Sequence, residues 1–175
     1  MNYFKLFDLP VSFQLDEAEL KRRFYETSKK YHPDFYTLES EDKQTEILEL
    51  STLNNEAYRT LADFDKRMRY ILEMKGVLAE EGKNDIPQDF LMEMMDINEA
   101  LMELEFDFDE ATYQQTLQQI EVQEKAIFQE VAQIIEQYDD KKATDTELST
   151  VRDYYLKKRY LLRIRENLAK FAPQM

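Results

Sequence analysis

Cysteine is absent from this sequence, which excludes disulfides, thiolate metal ligands and thiol nucleophiles together. Uncharged runs long enough to span a bilayer are absent too. The first ten residues, MNYFKLFDLP, are typical neither of a signal peptide nor of an Arg-rich transit peptide. We therefore expect a soluble intracellular protein with no membrane partner.

Glycine occurs only twice, whereas Glu, Gln, Leu, Lys and Met are abundant. Because those residues favour helix and glycine disfavours it, local propensity predicts helices nearly throughout the chain. Apolar residues make up 43% of the 175 residues, enough for one fair-sized core or two small ones. The predicted fold class is all-α.

The whole chain has a net charge of −14, and basic residues are almost absent from its middle. Residues 85–140 contain 16 acidic side chains and one basic one, Lys125, whereas residues 141–175 contain nine basic and four acidic side chains. Such an acidic block repels phosphate backbones, so we expect no nucleic-acid partner. A basic protein surface remains a possible partner.

Both glycines lie in the stretch KGVLAEEGKNDIP, where helical periodicity is weakest. Glycines near a proline mark a break between periodic segments, so we place a domain boundary there. The predicted organisation is a first domain over residues 1–75, a linker over 76–86 and a second domain over 87–175.

The first domain is predicted to be a helical hairpin with short flanking helices. We expect a short helix before Pro10, and then a helix that opens at Asp16 with a capping box to Glu19 and ends at about Tyr31. A long helix over 41–61 and a short helix follow. The residues predicted to face inward on the two long helices are Leu20, Phe24, Thr27, Tyr31, Ile47, Leu50, Leu53, Ala57 and Leu61.

The second domain is predicted to be a three-helix bundle, because apolar residues recur at spacings of three and four along three longer stretches. The core residues predicted for the first helix are Phe90, Met94, Ile97, Leu101 and Leu104. Those predicted for the second are Tyr113, Leu117, Ile120, Ile127, Val131, Ile134 and Tyr138. The third helix, capped by Thr144 with Glu147, contributes Leu148, Val151, Tyr155, Leu162, Leu168 and Phe171.

The only histidine, His32, precedes a proline in the stretch KKYHPDFY. Because Pro33 biases its neighbour away from the α region, His32 should begin a loop at the end of the preceding helix. One interpretation is that the imidazole simply interacts with that helix end. A metal site or a nucleophile activated by this base is not indicated, because neither further His or Cys ligands nor a Gly-x-Ser-x-Gly motif accompanies it.

The context of His32 favours another interpretation. The tripeptide His-Pro-Asp lies between two helices, follows a helix with a basic outer face, and precedes LNNEAYRTL at 53–61 and the segment DKRMRY. This pattern resembles a J-domain, the module with which co-chaperones stimulate the ATPase of DnaK-type chaperones. The resemblance implies no catalytic chemistry. The residues to which it assigns chaperone binding are Arg22, Tyr25, Lys29, His32, Pro33 and Asp34. In many J-domains a basic residue follows the tripeptide, whereas here it is Phe35.

The layout of the whole chain narrows the resemblance. Neither a Gly- and Phe-rich linker nor zinc-binding cysteines follow the first domain; instead an acidic bundle begins with FLMEMMDINEALMELE. This is similar to the HscB type of iron–sulfur-cluster co-chaperone, in a bacterial cytoplasmic form. The resemblance implies that the bundle binds an iron–sulfur scaffold protein (IscU-like) and delivers it to a DnaK- or HscA-type ATPase, with no cofactor of its own. The residues that match the family's scaffold contacts are Leu91, Met92, Met95, Asp96, Glu99, Glu103 and Leu156.

The residues of the first bundle helix support a binding face independently. Leu91, Met95 and Met102 fall roughly 100 to 140° around the helix from the predicted core stripe. Methionines bordered by carboxylates are typical of adaptable protein-binding surfaces, although a wide core face would give the same pattern. Two further alternatives remain open for the chain: a J-domain adaptor for another client, and a helical assembly protein in which His-Pro-Asp is incidental.

Overall fold

A computed structural model describes residues 2–172. All regular structure in this range is helical, which confirms the all-α prediction. The chain forms two compact units: residues up to Lys75 together with Tyr138–Ala143, and residues from Gly76 to Gln137 together with those from Thr144 onwards. None of the helices within residues 2–172 has both the length and the apolar character that a membrane span requires.

The first unit is built around one long helix. Its elements are α1 (Tyr3–Leu6), α2 (Glu17–Lys30), a 3₁₀ turn (Pro33–Tyr36), α3 (Glu41–Ala62) and α4 (Phe64–Met74). Each of the other four elements contacts α3. The predicted helical hairpin with short flanking helices is confirmed.

The core of the first unit contains four of the nine residues predicted to face inward on its two long helices. Its buried apolar residues are Phe4, Phe7, Phe13, Leu20, Ile47, Ala57, Leu61, Met68, Ile71 and Leu72. The other five residues predicted to face inward are only half-buried: Phe24, Thr27, Tyr31, Leu50 and Leu53. The cap of α2 is also partly as predicted: Asp16 Oδ1 accepts the backbone N–H groups of Ala18 and Glu19, but the Glu19 carboxylate turns to two arginines instead of completing a capping box.

The motif LNNEAYRTL packs α3 against α2. Asn54 is buried and donates from Nδ2 to Ser28 Oγ at 2.9 Å, and Tyr58 stacks on Phe24 with ring centroids 4.2 Å apart. Ala57 is fully buried between these two positions. The motif therefore holds the hairpin together, and its spacing reflects packing.

The second unit contains the predicted bundle. Its helices are α5 (Gln88–Glu93), α6 (Met95–Phe106), α7 (Glu110–Glu136) and α8 (Asp145–Phe171). The two long helices α7 and α8 pack against each other, and α6 packs on both. As predicted, Thr144 Oγ1 accepts the Glu147 N–H and caps α8.

The first predicted bundle helix is interrupted at one residue. Met94 has φ −80° and ψ −9°, which lies away from regular helix, and it is fully buried. Its N–H lies within hydrogen-bonding distance of both the Phe90 and the Leu91 carbonyl oxygens. The apolar spacing continues unchanged through this break, so periodicity alone does not predict it.

The bundle core departs from the predicted stripes towards both ends of α7 and in the later turns of α8. In α7, Thr116 and Ile135 are buried, whereas Leu117 and Ile134 are only half-buried. Apolar residues spaced alternately three and four apart repeat every 3.5 residues on average. A helix of 3.6 residues per turn drifts from this repeat by about 20° per heptad, so the predicted stripe leaves the buried face. In α8, Leu161 is buried and Leu162 is 38% exposed, because the buried face turns around the helix along its length.

The segment Tyr138–Ala143 belongs to the first unit, although Tyr138 was predicted to lie in the bundle core. The Tyr138 ring packs edge-on against Phe13 with centroids 4.7 Å apart. Asp140 accepts from the Tyr138 hydroxyl and pairs with Lys75 at 2.6 Å. These contacts join positions distant in sequence, which is why helical periodicity does not indicate them.

A buried arginine joins three segments of the first unit. Arg67, from DKRMRY, is 6% exposed, and its burial lowers the pKa of the guanidinium. Its Nε donates to the Phe13 carbonyl at 2.9 Å and its Nη1 to the Leu61 carbonyl at 2.6 Å. The guanidinium also lies 5.6 Å from the Phe64 ring centroid. Arg67 thus fixes the chain before α2 and the end of α3 against α4.

We expect Arg67→Ala to lower the free energy of unfolding by about 3 kcal/mol, because it leaves two buried carbonyl groups without their donor. Arg69→Ala on the same helix is the matched control: Arg69 is half-exposed and pairs with Glu73 at 2.7 Å, so its loss should cost less than about 1 kcal/mol. Urea denaturation of both variants measures the difference. Equal losses would contradict the role assigned to Arg67.

Candidate functional site

The loop after α2 begins just before Pro33, as predicted. Helix α2 ends at Lys30, and its last turn is closed by the Tyr31 N–H, which donates to the Thr27 carbonyl, and by the Tyr36 hydroxyl, which donates to the Lys30 carbonyl at 2.7 Å. His32 then adopts an extended conformation with φ −72° and ψ 124°. This is the conformation expected for a residue before proline.

The imidazole of His32 organises the turn that follows it. Its Nδ1 accepts the Asp34 backbone N–H at 3.2 Å and lies 3.7 Å from the Asp34 carboxylate. The hydrogen bond runs forward to the 3₁₀ turn, whereas a helix-end partner would bond back to the α2 carbonyls. Because Nδ1 is the acceptor, Nε2 is the ring atom that carries the donor proton.

The His-Pro-Asp loop, residues His32, Pro33 and Asp34, is directed to solvent. The His32 and Asp34 side chains are 52% and 84% exposed, and the 3₁₀ turn contributes no buried residue. Phe35 is 73% exposed and meets the His32 ring edge-on at 5.8 Å. An imidazole, a carboxylate and a phenyl ring therefore form one exposed surface on a rigid hairpin.

The outer face of α2 carries Arg22, Tyr25 and Lys29, all exposed, as predicted. This face is less basic than the sequence pattern indicates, because Arg22 bonds to Glu19 at 2.6 Å and to Glu26 at 2.7 Å. The spacings of three and four residues that bring these pairs together are readable in the sequence. Net positive charge on this face comes from Lys29 and from Lys21, whose Nζ lies 5.9 Å from the Tyr25 ring centroid.

Glu19 lies between two arginines. Hydrogen bonds from Arg22 and Arg23 lower the pKa of its carboxyl group to about 2. Glu19 is therefore ionised throughout the neutral range. Three of the five N–H donors of Arg22 are already bonded to Glu19 and Glu26, which leaves two for another acceptor.

The second surface lies on the outer side of α5 and α6. Phe90, Met94, Ile97, Leu101 and Leu104 are buried as predicted. Met92 and Met95 are 63% and 65% exposed, and Leu91 is half-buried. Asp96, Glu99 and Glu103 are exposed. The apolar residues outside the core stripe therefore face solvent, and a wide core face does not account for the two methionines.

The predicted scaffold-binding residues do not all lie together. Leu91 and Asp153 of α8 line one depression, and half-buried Leu156 follows Asp153 by about one turn, so Leu156 lies near the α5 end of the surface. Asp96 lies on the other side of α6, where it lines a cleft with glutamines of α7 such as Gln115 and Gln119. Within residues 2–172, no group of three or more His, Cys, Asp or Glu side chains could hold a metal ion.

The hairpin, its loop and the following motifs define the first unit as a J-domain: residues 2–70 match the DnaJ domain family. Residues 86–169 match the family described as the HSCB C-terminal oligomerisation domain. The chain is 37% identical over 161 residues to the co-chaperone protein HscB homolog of Haemophilus ducreyi, covering 90% of each chain.

Two solved structures are similar over almost the whole chain. The chaperone HscB from Vibrio cholerae has a TM-score of 0.68 and 26% identity, with 97% of this chain and 96% of that chain covered. The human co-chaperone protein HscB has a TM-score of 0.72 and 28% identity, with 97% and 81% covered. This chain belongs to the HscB family of co-chaperones.

Proposed function

We propose that this chain binds an iron–sulfur scaffold protein through α5, α6 and α8, delivers it to a DnaK- or HscA-type chaperone, and stimulates the ATPase of that chaperone through the His-Pro-Asp loop. The proposal places it in the bacterial cytoplasm and assigns it neither catalysis nor a cofactor of its own. Family membership supports the proposal, and the exposed His-Pro-Asp loop is the single observation that carries it.

The geometry of the loop explains how it would act on a chaperone. The Asp34 carboxylate is almost fully exposed, while its backbone N–H is held by the His32 ring. A carboxylate on a fixed turn can pair with a cationic group of the chaperone without a large ordering cost. Lys29 and Arg22, one and three turns before the loop, would then face an acidic part of the same partner.

We expect His32→Gln to reduce ATPase stimulation by about thirtyfold or more, because the change removes the ring that orients Asp34 at the centre of the contact. Leu38→Ala, a change at a fully exposed residue just beyond the turn, is the control and should retain stimulation. Turnover of ATP by the chaperone is measured with each variant. Full stimulation by His32→Gln would refute the assignment of the loop, and no stimulation by the unmodified protein would favour a helical assembly protein.

Charge on the outer face of α2 should affect the rate of docking. Arg22→Ala with Lys29→Ala should slow association with the chaperone, and the effect should shrink as salt rises and the Debye length falls below about 10 Å. Glu26→Gln is the opposing variant: it removes an acid and one partner of Arg22, so it should speed association. Stopped-flow association rates at two ionic strengths provide the test. Rates that do not respond to salt would indicate an apolar docking face.

The surface on α5 and α6 has the anatomy of a protein interface. Leu91 and Met95 offer apolar area one turn apart, and the exposed carboxylates of Glu99 and Glu103 follow along α6, whereas Asp96 lines the cleft toward α7. Buried apolar contacts at the centre of an interface carry most of the affinity, whereas rim charges chiefly affect the association rate.

The double variant Leu91→Ala, Met95→Ala should weaken scaffold binding by about 2 kcal/mol per residue, about thirtyfold each. It should still stimulate basal ATPase, whereas His32→Gln should still bind scaffold, so the two variants are reciprocal controls. Calorimetric titration with scaffold protein gives the affinity, and the thermal midpoint reports folding. If the midpoint falls steeply and binding falls only in proportion, Leu91 and Met95 are core residues and this site is wrong.

A further inference from the structure

The outer side of α6 carries an apolar stripe that continues beyond the residues proposed above. At about 100° per residue, Met95, Met102 and Phe106 fall within a sector of about 40°, on the side opposite buried Ile97 and Leu101. Their side chains are 65%, 71% and 97% exposed. With a rise of about 1.5 Å per residue, the stripe runs for about 17 Å. Asn98 and Glu99 lie on the turn between Met95 and Met102, so the stripe is a row of exposed apolar side chains with polar neighbours. Exposed apolar side chains grouped in this way indicate an interaction surface.

An acidic hollow lies beside the end of this stripe. It has a volume of about 580 Å³, and no basic side chain lines it. Met102 and Phe106 line it together with the carboxylates of Glu99, Glu103, Asp107 and Asp109. Asp109 already caps α7, because its Oδ2 accepts the N–H and the hydroxyl of Thr112 at 3.0 and 2.6 Å. The other three carboxylates are exposed.

The charges around the stripe indicate what kind of partner it fits. Carboxylates that border an apolar stripe complement a protein surface whose apolar side chains are bordered by Lys and Arg. Residues 85–140 of this chain, which contain α5, α6 and α7, have a single basic residue, Lys125, so these three helices offer the stripe almost no countercharge. The stripe starts at Met95, inside the proposed scaffold surface, and one partner contributing about 800 Å² can cover both.

We propose that Met102 and Phe106 extend the scaffold-binding surface along α6, and that the hollow beside them receives a Lys or Arg side chain of the scaffold protein. This inference rests on the proposed function. Methionine adapts its shape to a partner, and Phe106 adds a large apolar contact at the far end. We therefore expect the scaffold protein to present an apolar patch bordered by basic residues to this surface.

The test compares two double variants of the full chain. Met102→Ala with Phe106→Ala should weaken binding of purified scaffold protein about tenfold, with the thermal midpoint unchanged because both side chains are exposed. Phe128→Ala with Leu162→Ala is the control, since these partly exposed residues line a groove between α7 and α8 that contains no residue of α5 or α6. The control should bind scaffold as tightly as the unmodified chain.

Parallel titrations separate this inference from the proposed function. The first outcome to consider is that the unmodified chain binds scaffold and that Leu91→Ala with Met95→Ala abolishes this binding. If Met102→Ala with Phe106→Ala then keeps the affinity within about twofold, the extension of the surface is wrong and the proposed function stands. If the unmodified chain does not bind scaffold, both fail. Sedimentation velocity of the same variants gives a further outcome: self-association that Met102→Ala with Phe106→Ala abolishes would assign the stripe to a second copy and overturn the inference.

Discussion

The first unit depends on the buried guanidinium of Arg67. A buried charge is costly unless its donors are satisfied, so the native packing of the unit requires the Phe13 and Leu61 carbonyls to lie at the Arg67 guanidinium. This constraint sets the start of the hairpin and the end of α3 together. The 3₁₀ turn at Pro33–Tyr36 contributes nothing to the core, and its side chains are therefore available for recognition.

Local rules predicted the hairpin and the His-Pro-Asp loop well. Asp16 caps α2, and Pro33 holds His32 in an extended conformation, because both effects act over one or two residues. The interruption at Met94 was not predictable from apolar spacing, since it leaves that spacing unchanged. The burial of Ile135 in place of Ile134 depends on the exact helical period and on the neighbouring helices.

The exposure of most candidate residues could be predicted from the sequence, but the side chains that surround them could not. The sequence pattern placed Arg22 on an outer face, and the structure adds its two glutamate partners. Leu91 lines a depression with Asp153 of α8, while Asp96 lines a cleft with the glutamines of α7. Such differences arise from contacts between helices, which a single helical wheel does not contain. The extreme exposure of Phe106 likewise follows from its place at the last turn of α6.

The pairing of Arg22 with Glu19 and Glu26 has a consequence for the residence time of any complex formed through α2. A partner carboxylate that takes over the Arg22 donors now bonded to Glu19 or Glu26 replaces an ion pair that already exists, so this exchange yields little net free energy. Complexes held by such exchanges form quickly in a favourable field and also separate quickly. A co-chaperone must dissociate from one chaperone molecule before it can bind the next. Because Arg22 can re-form its bonds to Glu19 and Glu26, dissociation of such a complex is faster.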